Sequence, residues 1–152
     1  MEHHLTTYIT LDPLISALGF GTQENLEAIR SYHSGITLQT DKRIADTPLL
    51  AATLSQERLQ QQAEAIGVSG YPRMEQLFIL TINELIRQSG QTLEDKTCGL
   101  ILSTTKGNID LLARHTEHPD EAVFLWKMAE NIAGYFHAEE RGHVISNACI
   151  SG

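Results

Sequence analysis

Near its carboxy-terminal end the chain reads Val144-Ile145-Ser146-Asn147-Ala148-Cys149-Ile150-Ser151-Gly152. A short β-branched run meets a cysteine flanked by small residues. That pattern predicts a buried strand turning sharply to present a thiol at the start of a helix. A helix amino terminus carries roughly half a positive charge, which lowers a thiol pKa from its ordinary value of about 8.5 and increases its thiolate fraction. Ala148, Ser151 and Gly152 are small enough for a tight turn and close packing. The spacing points to nucleophilic chemistry at Cys149.

The other reactive side chains form weaker patterns. Cys98 precedes an apolar run and reads as a packing residue. His115 and His118, with Glu117 and Asp120 nearby, can share one helical face. No third ligand has a fitting spacing, so a solvated helix start is expected and no metal or cofactor is assigned. Lys106-Gly107 follows a strand-like run, but the phosphate-loop pattern is absent and nucleotide binding is rejected. Lys42, Arg43, Arg58, Arg73 and Lys127 read as scattered solvated charge rather than a docking patch.

Composition narrows the class. The 152 residues are 41% hydrophobic, which suits one globular domain and not a disordered chain. The formal net charge of −8 argues against nonspecific nucleic-acid binding. Two cysteines make no disulfide framework, no apolar run approaches a membrane span, and Met1-Glu2-His3-His4 lacks signal-peptide character. A soluble protein of the reducing cytoplasm is expected.

The elements that must hold the thiol follow from periodicity. Leu5–Thr10 is β-prone and is punctuated by Asp12-Pro13. Ile15–Gly19 reads as a glycine-containing connection, and a helix capped by Thr22 is expected over Gln23–Tyr32, ending at Ser34-Gly35. Leu49–Leu54 reads as extended. Ser55 opens a solvated helix to about Ile66. Arg73–Gln88 is the strongest helix, with an apolar face of Leu77, Leu80, Ile82, Leu85 and Ile86, stopped by Ser89-Gly90. Cys98–Ser103 reads as a strand buried on both faces, followed by a Thr104–Asn108 loop and a helical stretch from Ile109 to His115. Pro119 opens a long helix to about Phe136, whose Trp126 is assigned to core or a subunit interface. His143–Asn147 is the last strand. Alternating strands and helices predict an α/β layered fold with a mostly parallel sheet.

Four of these segments, in order, carry a resemblance to the amino-terminal half of the β-ketoacyl synthases, the thiolase-fold condensing enzymes of fatty-acid and polyketide synthesis. They are Ile15-Ser16-Ala17-Leu18-Gly19 with the helix ending at Ser34-Gly35-Ile36; the Arg73–Gln88 helix; Gly99-Leu100-Ile101-Leu102-Ser103-Thr104-Thr105-Lys106-Gly107; and Ser146-Asn147-Ala148-Cys149-Ile150-Ser151-Gly152. The last is similar to the family's active-cysteine motif and is the specific one. Leu11-Asp12-Pro13 departs from the glycine-rich turn usual in the family.

The resemblance implies that residues 1–152 form one half of a thiolase-like layered domain. It implies that Cys149 accepts an acyl group from acyl carrier protein, that its backbone N–H is one oxyanion donor, and that Thr104, Thr105, Asn147 and Ala148 border the substrate pocket. Decarboxylation of malonyl-carrier protein and Claisen condensation would follow. The implied partners are acyl carrier protein, a carboxy-terminal half of the same fold, and a second synthase subunit in a homodimer or heterodimer. The family's remaining catalytic residues belong to the other half, so the isolated chain is expected to be inactive. A competing expectation is a non-catalytic paralogue acting as a dimerisation or chain-length partner. A free-standing thioesterase is disfavoured, because no histidine is placed by a motif to act as base.

Overall fold

The computed structural model describes residue 8, residues 11–113 and residues 120–150. Most of the Leu5–Thr10 strand expectation, and all of the His115/His118 cluster except Asp120, lie outside the described residues.

After Asp12-Pro13 the chain forms a tight antiparallel hairpin, β1 (Ile15–Ser16) with β2 (Gly19–Phe20), where a plain connection was expected. Helix α1 (Thr22–Arg30) starts one residue early because Gly21, at φ 123°, takes the cap position. Thr22 instead donates its hydroxyl to the Asp12 carbonyl at 2.8 Å. Asn25, buried inside the first turns, staples helix to hairpin. Its amide donates to the carbonyls of Gly19 (3.0 Å) and Gly21 (2.8 Å), and its oxygen accepts from the Ser16 hydroxyl. The helix ends at Ser31–Tyr32, before Ser34-Gly35. Tyr32 N–H donates to Ile29 O and His33 N–H to Ala28 O, a Schellman closure with Tyr32 itself in the left-handed region at φ 53°.

An antiparallel ribbon follows, β3 (Ile36–Gln39) with β4 (Leu49–Ala52). β4 matches the extended reading; β3 was not anticipated. Ser55 caps α2 (Gln56–Ala65) by accepting from Arg58 N–H at 3.2 Å, as its residue type predicts. Arg58 then reaches back to α1. Its guanidinium bridges both Glu24 oxygens at 2.7 and 2.9 Å and lies 4.9 Å from the Phe20 ring centre.

Helix α3 (Arg73–Ser89) closes on Gly90 at φ 68°, at the predicted stop. Its buried face is rotated from expectation: Ile79 is fully buried and Glu75 with it, whereas Leu85 is exposed. Helix α4 (Leu125–Tyr135) is shorter than the helix expected from Pro119. Phe124 is extended (φ −71°, ψ 134°) and separates α4 from a 3-10 turn at Glu121–Val123. The stretch after Asn108 is likewise a 3-10 turn, Ile109–Ala113, not an α-helix.

The core joins Ala63 of α2, Val68 and Ile79 to Leu100, Leu102, Met128, Ala129 and Ile132. Leu102 belongs to β5 (Ile101–Ser103), which pairs in parallel with β6 (His143–Ile145) in the register Ile101↔His143, Leu102↔Val144, Ser103↔Ile145. The β5 segment was expected to be buried on both faces. Instead Leu102 is 3% exposed and Ile101 65%, because the helices cover one face of the pair. The fold is therefore mixed α/β, as expected, but not mostly parallel. Among the described residues one pair is parallel and two are antiparallel. No helix of the described residues is long and apolar enough to cross a membrane.

Candidate functional site

β6 delivers the chain to Cys149. Its inward residue Val144 packs against the core, while Ile145 faces outward, 47% exposed. Ser146 and Asn147 leave the strand, and Ala148 takes φ 47° at the start of a 3-10 turn, Ala148–Ile150. A residue with a Cβ pays about 1 kcal/mol for that left-handed conformation. The bend therefore falls where the sequence predicts it. Within the described residues the element after it is a 3-10 turn rather than the expected α-helix, and Ser151-Gly152 lie outside them. Cys149 is exposed, whereas Cys98 is half-buried beside the core strand.

The ladder extends one residue past β5. Thr104 N–H donates to Ile145 O at 3.2 Å and fixes the strand-exit loop alongside the bend. The Thr104 hydroxyl oxygen accepts from Lys106 N–H (3.2 Å) and Gly107 N–H (3.1 Å), so it shapes its own loop. Thr105, Asn147 and Ala148 are exposed. Of the sequence-predicted site residues, Thr104 is brought beside the Ser146–Cys149 bend through the backbone. No His, Asp or Glu side chain among the described residues hydrogen-bonds the Cys149 thiol, and no group of three potential metal ligands occurs among them. A groove of about 520 Å³ lies elsewhere, between the β1–β2 hairpin, α2 and α3, lined by Leu14, Phe20, Ile66 and Leu80 among others.

What holds the strand-exit loop is a buried carboxylate that sequence reasoning missed. Glu75 is 0% exposed in the first turn of α3. Asn108 Nδ2 donates to its Oε1 at 2.7 Å and to Ala122 O at 2.8 Å. Asn131 Nδ2, from α4, donates to Oε1 and Oε2 at 3.2 and 3.3 Å. Burial pushes the Glu75 carboxyl above its usual range, and the two asparagine hydrogen bonds pull the other way. Asn108 Oδ1 is buried without a hydrogen-bond partner among the described residues. The cluster ties α3, α4 and the loop after β5 together. Beside it, Gly107 at φ 51° approaches α4 so closely that a Cβ would come within 2.5 Å of Leu125 Cδ2. A sequence signal existed. Glu75, Ile79, Ile82 and Ile86 recur at helical spacing, which puts one carboxylate on the apolar face.

In comparisons with known proteins, no family model, no curated protein and no solved structure matches this chain.

Proposed function

We propose that this chain is the amino-terminal part of a thiolase-fold condensing enzyme of the β-ketoacyl synthase type, working in the cytoplasm with acyl carrier protein. One observation carries the reading: an exposed cysteine follows a left-handed alanine bend at the end of a strand packed on the core. In this reading the Cys149 thiolate attacks the thioester of acyl-carrier protein, and the carrier thiolate leaves. The Cys149 N–H is one donor to the oxyanion, a contribution worth roughly 10²–10³ in rate. Loss of CO₂ from malonyl-carrier protein then gives an enolate. The enolate attacks the acyl-cysteine carbonyl, releasing the cysteine thiolate and the 3-oxoacyl product. Bases and further oxyanion donors come from the other half of the fold, so this chain alone holds an acyl group at most.

The outer face of β5–β6, with Ile101 and Ile145 exposed, favours association with that half or with a second synthase subunit. The same face also suits the alternative, a non-catalytic dimerisation or chain-length partner. The two readings separate at the thiol. The chain is incubated with an acyl-loaded carrier protein, and the modified residue is located by mass spectrometry. Acylation at Cys149, lost in Cys149→Ala and kept in Cys98→Ala, supports the enzyme reading. An adduct that survives Cys149→Ala overturns it. Retention of a full-length partner's product profile with Cys149→Ala would instead favour the non-catalytic role.

A further inference from the structure

We propose that the buried pair Glu75 and Asn108 forms a binding site for a small monovalent cation, held between the α3 carboxylate and the amide oxygen of the strand-exit loop. Two unmet needs coincide there. The first is an orphaned acceptor. Asn108 has no exposed surface, and its Oδ1 has no hydrogen-bond partner among the described residues. Oδ1 belongs to the same planar amide as the Nδ2 that meets Glu75 Oε1 at 2.7 Å, so it lies within about 5 Å of that carboxylate oxygen. One ion touching both oxygens spans such a gap. Turning the amide over does not help. Nδ2 serves two acceptors, Glu75 Oε1 and Ala122 O, and Oδ1 in its place would face an ionised carboxylate and a carbonyl with no proton between them.

The second need is charge. Glu75 is also fully buried. A carboxylate offers about four acceptor positions. Asn108 and Asn131 fill three of them, at 2.7, 3.2 and 3.3 Å, and both donors are neutral amides. Among the described residues no cation pairs with Glu75. Lys127 acts on the carboxyl only from a distance, opposed by Asp120, and its ammonium is engaged by Glu130 at 2.7 Å.

Buried charges are ordinarily paired or bound to an ion, and a buried unsatisfied oxygen marks the place of a water or an ion. A water would complete Oδ1 and leave the charge. A divalent ion would reverse the charge and ask for about six oxygens or more. A single positive charge meets both needs. Access comes from a cavity of about 390 Å³, lined by Gly67, Gly70, Tyr71 and Pro72 and by Glu75 and Asn131 themselves. The bound ion fastens the loop after β5 to α3 and α4, and it owes nothing to chemistry at Cys149.

The test compares sodium and potassium chloride with tetramethylammonium chloride, whose cation is too large for the gap, at equal ionic strength. It is run near about pH 8, to favour the ionised carboxylate. The urea midpoint of the full chain should rise saturably with either small cation, by roughly 0.5 M at about 0.1 M salt. Glu75→Gln keeps the shape, removes the charge and should abolish the response. In nitrogen–proton spectra of the wild type, the Asn108 side-chain amide signals should move with the small cation and stay still with the large one. Equal midpoints in all three salts would leave only a water at Oδ1 and overturn the proposal. So would a response retained by Glu75→Gln, unmoved Asn108 signals, or a larger response to calcium at matched ionic strength.

Discussion

The contact between α3 and α4 and the ribbon β3–β4 treat similar side chains in opposite ways. Ile79, Met128 and Ile132 have no exposed surface, whereas Ile36, Leu38 and Leu50 on the ribbon are 56%, 63% and 71% exposed. The register pairs Leu38 with Leu50 and Ile36 with Ala52, so the uncovered residues lie on one face. Helices α2, α3 and α4 bury apolar residues in the shared core, whereas α1 leaves Leu26 and Ile29 exposed. The strand pairs bury one face at best. Parallel strands ordinarily occur with both faces covered, and β5–β6 departs from that rule at Ile101 and Ile145. Stability resides in the helical side, and the strand surfaces offer places for association.

Substitutions test that division, beginning with the interior. Ile132→Ala should destabilise by about 4 kcal/mol through lost burial and the cavity left behind, read as a fall in the urea midpoint. A smaller loss, about 3 kcal/mol, is expected for Glu75→Ala, which takes the acceptor from the buried Asn108 amide and from the half-buried Asn131. If Glu75→Ala were neutral, the polar tie between α3 and α4 would have no role in the helical side.

Two carboxylates on α3 sharpen the contrast through pH. Glu75 is held above the ordinary range by burial. The folded state binds that proton more tightly than the unfolded chain. Its stabilisation is thus complete below the unfolded glutamate pKa of about 4.3 and is lost as pH rises through the raised value. Urea midpoints measured at a series of pH values should show wild type losing ground to Glu75→Gln on going upward from there. Glu84 runs the other way. Its hydrogen-bonded partner Arg87 lowers it to about 2, so its contribution is present above the ordinary range and fades as pH falls towards that value. The Glu84 side chain is 36% exposed, and solvent screening keeps its part small.

The helix ends give a gain rather than a loss. Tyr32 (φ 53°) and His137 (φ 49°) occupy left-handed closing positions without being glycine. His137→Gly should raise stability by about 1 kcal/mol, seen as a higher melting temperature. The smallest effect belongs to the ribbon. Leu50→Lys should change stability by less than about 0.5 kcal/mol while lowering the tendency to self-associate in light scattering. A large destabilisation there would mean the ribbon face is covered after all.

The same closures explain what could be read in advance. α2 and α3 were legible because Ser55 and Gly90 do the capping their residue types advertise. α1 ended elsewhere because Tyr32 adopts a conformation that its type disfavours, whereas α4 ends near Phe136 as expected and differs at its start, where Phe124 is extended. Ile36–Gln39 is too short for a period to stand out, and the run Gly99–Leu102 has no alternation to disclose that Ile101 faces outward. The bend before Cys149 was legible from its small residues. The Glu75 cluster was not, since carboxylates are ordinarily left in water and only its place among Ile79 and Ile82 marked it.

Gly142 gives the thiol a distant anchor. A methyl group there would come within 2.9 Å of the Ala129 carbonyl oxygen, a main-chain atom with no flexible side chain to yield. β6 begins at the next residue. The lever that aims Cys149 thus has its fulcrum on α4, seven positions upstream of the sulfur, and even one added carbon at that pivot would swing the thiol without touching it.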